Sequence, residues 1–199
     1  MADLMQILAN ALGGGNLQSI SRSIGADRDQ TAQAISAAIP ILMGALDRNT
    51  DHQGGADALF KALQRDHDGS ILEDLGGFLA GGSFDDGNDI LGHVLGAKRQ
   101  SVETGLSKAS GLDRGSAAQL LSILAPIVLG AVGKLQRHQQ LDPSGLANAL
   151  SREHHRAVEA QPHAMSALES LLDTNDDGQV IDDVVKIGSS LLDSFMRNA

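Results

Sequence analysis

Five aspartates and one asparagine crowd around a single glycine in LLDTNDDGQVIDD, Leu171 to Asp183. Oxygen-rich loops of this kind hold hard cations. In a calcium loop of the EF-hand type, side chains at positions 1, 3 and 5 ligate, a glycine at 6 makes the turn, position 7 offers its carbonyl and position 12 a bidentate carboxylate. Asp173, Asn175, Asp177, Gly178 and the Gln179 carbonyl fill the first five roles, and Val180 supplies the apolar eighth position. Position 12 is Val184, which cannot ligate, and acids stand instead at Asp182 and Asp183. The cage closes only if the loop is shortened so that Asp183 completes it. The competing reading is structural: an Asp-Gly turn followed by two acids is how many helices begin, because first-turn carboxylates accept from free amides and oppose the positive end of the dipole. A Ca2+ site at Asp173, Asn175, Asp177, Gln179 and Asp183 and a plain helix start are both compatible with these residues.

An earlier stretch, RDHDGSILEDL, repeats the pattern at an offset of 109 residues, with Gln64 where Asp173 stands, then Asp66, Asp68, Gly69, Glu73 and Asp74. The turn and the acids after the glycine persist while a starting ligand is lost. That favours the helix start as the common purpose of both corners.

The repetition extends further. Asp3 to Leu46 lies over Asp89 to Val132 at a constant offset of 86, and the matches include Gly25 with Gly111, Asp27 and Arg28 with Asp113 and Arg114, Pro40 with Pro126, and Gly44 with Gly130. Two tandem units follow, residues 1–86 and residues 87–199, the second lengthened by an inserted helix around 141–160 that Asp142 caps and Pro143 opens. GGFLAGGSFDDGND, with its five glycines, reads as the linker between them.

The elements that must position these residues are helical throughout, since the apolar spacing has the 3.6-residue period and no stretch alternates as a strand does. The fold class expected is all-α and multihelical, two repeats of helix-turn-helix hairpins. Gly25 and Gly111 close one helix in the left-handed conformation; Asp27 and Asp113 cap the next, and Gln30 gives the first of these a capping-box spacing. Pro40 and Pro126 interrupt apolar runs and predict a kink or a fresh helix start. Gly44 and Gly130 leave room for close approach.

The stretches LAPIVLGAVGK, NDILGHVLGAKRQSV and DHDGSILEDLGGFL together resemble a bacterial family known as domain of unknown function 937, most closely over residues 58–140, with the remainder similar to a diverged copy. The resemblance implies a bacterial origin and a multihelical, duplicated fold, distantly similar to YidB-like helical proteins, and it implies no activity. The longer second unit departs from it.

Several chemistries are argued down by composition. The 199 residues contain no cysteine, which removes disulfides, thiolate metal sites and cysteine nucleophiles. No Ser or Thr has a visible base partner, no carboxylate pair is set by a motif, and the glycine runs lack the Lys and Ser/Thr of a phosphate loop; the expectation is no enzyme and no organic cofactor. The seven histidines include no helical pair with an intervening Glu, and His154 and His155 read as a solvated face. Net charge is -10, with 3 acids against 6 bases only in residues 89–140. Nucleic acid is thereby disfavoured; its one foothold would be Lys98, Arg99, Lys108 and Arg114, with Arg28–Ile39 or Arg114–Leu124 as the reading helix of a helix-turn-helix. The start carries no positively charged leader and no run approaches a membrane span. A cytoplasmic protein acting through a protein partner or by self-association, as a non-catalytic interaction or scaffold module, is the expected function.

Overall fold

Polar caps and turn glycines cut the apolar sequence into short helices around two long ones. The computed structural model describes residues 4–160. Among them are α1 (Leu4–Leu12), α2 (Gly14–Ile24), α3 (Arg28–Asp51), α4 (Gly55–Arg65), α5 (Leu75–Gly81), α6 (Asp85–Leu95), α7 (Arg99–Ser110), α8 (Arg114–Gln139) and α9 (Pro143–Ala160), with 3-10 turns at Ser70–Leu72 and Gly96–Lys98. No strand occurs among the described residues. The protein is all-α.

The cap chemistry acts as the local sequence dictates. Gly25 and Gly111 take φ of 69° and 73°, the left-handed region that a side chain resists, and end α2 and α7. Two residues on, the Asp27 carboxylate accepts from the Gln30 amide at 2.8 Å and Asp113 from the Ser116 amide at 3.0 Å, satisfying donors that the first turns of α3 and α8 leave open. The Ser116 hydroxyl also donates to Asp113 and holds its carboxyl below the usual carboxylate range. Asp142 caps α9, accepting from the Gly145 amide at 2.7 Å. Asp27→Ala is expected to lower unfolding free energy by about 1 kcal/mol with Asp27→Asn much nearer wild type, read from urea midpoints at constant slope.

α3 and α8 form the centre. A helix apolar on every side must be enclosed, and from Ala117 to Gln136 nearly every residue of α8 is buried, as are Ala34 to Leu46 of α3 with one exception, Ser36. One core cluster takes side chains from both sequence units, Leu4, Leu8 and Ile20 alongside Leu91, Leu106 and Leu146. α8 is long and apolar enough to cross a membrane by length and composition, with mean hydropathy 1.8 over its apolar window, which the expectation of no such run had missed. Here 78% of that window is buried inside the fold.

Two further expectations change. Of the kink or fresh start expected at Pro40 and Pro126, the fresh start does not occur: α3 and α8 each run through their proline. The glycine-rich stretch expected as a linker is largely helical, with Leu75, Leu79 and Gly87 buried in α5 and α6.

Candidate functional site

The calcium reading rests on Asp173, Asn175, Asp177, Gln179 and Asp183, which lie outside the described residues. Its sequence counterpart, RDHDGSILEDL, is described and shows what an Asp-Gly corner does in this fold. Gly69 turns the chain at φ 95°. One oxygen of Asp68 accepts from the Ser70 amide at 3.0 Å and the other pairs with Arg137 of α8. Asp74 accepts from the Gly77 amide at 2.9 Å and starts α5. The side chain of Arg65 holds the Asp66 carboxyl low. Asp66, Asp68 and Asp74 are therefore committed to amides and guanidinium groups, and no group of three or more metal-ligating side chains exists among the described residues.

What seats the corner is α8. A Cβ on Gly133 would stand 2.0 Å from the His67 carbonyl oxygen, and one on Gly130 would stand 2.6 Å from Ile71 Cγ2. The two glycines are one helical turn apart, so they make a trough into which backbone and an apolar side chain settle. Beside the trough is a cleft of 330 Å3 where Asp68, Ser70 and Glu73 face Lys134, Arg137 and His138.

Gly44, the counterpart of Gly130, receives a different group. The His154 ring of α9 sits on it, so that a Cβ there would be 2.7 Å from Nε2, and His154 Nδ1 is 3.1 Å from the Asp47 carboxylate. His154 thus belongs to the α3–α9 interface, contrary to the solvated face expected, whereas His155 is exposed on α9 with its ring nitrogen 2.7 Å from the Ser151 carbonyl.

Two of the four cations named in the basic middle segment, Arg99 and Arg114, are engaged in the fold. Arg99 donates to Glu103 at 2.8 Å and to the side chain of Asn88 at 2.6 Å, Asn88 accepts from the Ser122 hydroxyl at 2.9 Å, and Arg114 lies 3.8 Å from Glu103. This network joins α6, α7 and α8; sequence reasoning singled out Arg99 and Arg114 only for their charge and missed Glu103, whose i,i+4 spacing from Arg99 is a local helical signal, and Asn88 and Ser122, which stand 34 residues apart and carry none. The two stretches named as reading helices are the opening halves of the buried central helices.

Two further clefts are lined by described residues. Between α1, α2 and α3 is an uncharged cleft of 270 Å3 lined by Met5, Leu8, Leu17, Ala32, Ile35 and their neighbours. Between α3, α6 and α7 is a cleft of 220 Å3 with an apolar floor and a basic rim. No curated protein and no solved structure matches the chain. The model of one family, described as bacterial protein of unknown function (DUF937), matches residues 6–135, and with that span and the helices it encloses the chain belongs to that family.

Proposed function

We propose that this protein is a non-catalytic helical interaction module that works by burying apolar helix surface against a protein partner, in the first instance a second copy of itself. The observation that supports the reading is an inequality between its two halves. On α8, the surface around Ser122 is covered by α6, close enough that a Cβ on Gly87 would lie 1.8 Å from the Ser122 carbonyl oxygen. On α3, the counterpart residue Ser36 lines the open apolar cleft with Met5, Ala9 and Ala32. Partly buried apolar side chains that line an uncharged cleft gain about 25 cal/mol per Å2 when a partner covers them.

Self-association of a chain with net charge -10 is opposed by its own field, so screening by salt should favour it. The weight-average mass from sedimentation equilibrium is expected to rise with concentration from micromolar to millimolar, more steeply in high salt. Ala9→Arg together with Ala32→Arg should hold the protein monomeric with an unchanged helical spectrum. A wild type that stays monomeric across the range in both salts refutes self-association through this cleft.

A further inference from the structure

The cleft between α3, α6 and α7 differs from the uncharged one in its rim. Its floor is Ile41, Ala45, Leu95 and Val102, each buried, and its rim carries Arg48, His52 and Lys98 with no acid among the lining residues. In a chain with 25 acids against 15 Lys and Arg, a rim of cations alone departs from the balance of the whole. The acids of the neighbouring helix segments are held elsewhere: Asp47 meets His154 of α9, Glu103 pairs with Arg99 and Arg114, and the exposed Asp51 stands outside the lining. Among the described residues neither Arg48 nor Lys98 forms an ion pair, whereas Arg65, Arg99, Arg114 and Arg137 each do.

The lining sets the chemistry of an occupant. A polar group taken out of water needs a partner, and the floor offers none: it is aliphatic, and the polar side chain beside it, Asn49, already donates to the Val94 carbonyl at 3.0 Å. The enclosed part of a ligand must therefore be aliphatic. No Phe lines the cleft, so a nucleobase has no ring to stack on. The volume of 220 Å3 is below the roughly 300–1,000 Å3 of sites for drug-sized ligands, and it suits a short alkyl chain better than the row of anchors that a partner helix lays down. At the mouth the requirement is an anion, because Arg48 presents a planar fork that takes a carboxylate in bidentate fashion and Lys98 adds a second cation from another element.

We propose that this cleft is a binding site for a medium-chain fatty carboxylate, with the alkyl chain on Ile41, Ala45, Leu95 and Val102 and the carboxylate held by Arg48 and Lys98 at the rim. One ligand meets both features of the site: it covers apolar floor and neutralises cations that the fold leaves without a counterion. The site is separate from the cleft between α1, α2 and α3 and does not depend on self-association.

The test titrates decanoate, below its micellar concentration, into the isotope-labelled full-length chain and follows backbone amide shifts. Saturable shifts should centre on Ala45, Val94, Leu95 and Val102, with a dissociation constant at or below about 1 mM. Decanol, which has the same chain and no charge, should bind about tenfold more weakly. Arg48→Glu with Lys98→Glu should weaken decanoate by about tenfold or more and admit decyltrimethylammonium at the same amides. Arg48 and Lys98 are exposed, so a circular dichroism melt near wild type verifies that the double variant folds, and the cation bound at those amides verifies that the cleft is intact. Absence of saturable shifts up to several times that concentration, decanol binding as tightly as decanoate, indifference to the charge reversal, or shifts centred on Leu8, Leu17 and Ile35 of the uncharged cleft would each overturn the proposal.

Discussion

Gly87→Ala is expected to destabilise this protein by about 2 kcal/mol or more, although alanine is the better helix former. A Cβ at this position would lie 1.8 Å from the Ser122 carbonyl oxygen, 2.7 Å from its carbon and 3.1 Å from its Cα. All three are backbone atoms of the central helix, so no side chain can turn aside; α6 must move off α8. The approach has a cause in the sequence: Pro126, four residues after Ser122, lacks the amide that would bond the Ser122 carbonyl. That carbonyl is thus the one α8 can leave facing a neighbour, and only a residue without a Cβ can come up against it. Lifting α6 also strains the contacts of Asn88 with Ser122 and Arg99. Gly92, on the same helix, has nothing within 4 Å of its would-be Cβ. Gly92→Ala should therefore stabilise by roughly 0.5–1 kcal/mol through helix propensity alone. Opposite signs for one substitution at two positions of α6 are the expected result in urea unfolding; a Gly87→Ala protein as stable as wild type would show that the helices do not meet as described.

The contrast between these glycines also measures what could be read before the structure. Local devices were legible because every partner is within four residues: the left-handed glycine, the aspartate cap and the amide it accepts at Gly25–Gln30 and Gly111–Ser116 are short-range geometry. Proline was legible only in part. Its lost amide and ring favour a break in an isolated helix, but burial of α3 and α8 on nearly all sides carries each helix through. Gly87 was hidden within a glycine-rich run that reads as a linker, since the atom that demands a glycine there belongs to Ser122, far along the chain. His154 was hidden for the same reason, its seat at Gly44 being 110 residues away. The corner was legible as a helix start and not as a docking element, because nothing near Asp68 in sequence foretells Arg137.

Gly133→Ala tests that docking and should act locally. The added Cβ would stand 2.0 Å from the His67 carbonyl oxygen and 3.4 Å from the Asp68 carbonyl carbon, again backbone that cannot rotate away. Here, however, the displaced group is a corner and not a core helix. The corner can leave α8 at the cost of the Asp68–Arg137 pair and the Ile71 contact, and that cost limits what the mutation can take from global stability. The expected outcome is a local opening made easier by about 2 kcal/mol, roughly thirtyfold, seen as faster amide exchange at Leu72 and Glu73, with a smaller shift in the urea midpoint. Gly130→Ala one turn earlier meets the Cγ2 methyl of Ile71 at 2.6 Å, a side-chain atom and not backbone, so its effect should be smaller than that of Gly133→Ala. If the two alanines act alike, the backbone contact at Gly133 is not what seats the corner. If Gly133→Ala melts α8 together with the corner, then the corner is part of the core and not a separable element laid upon it.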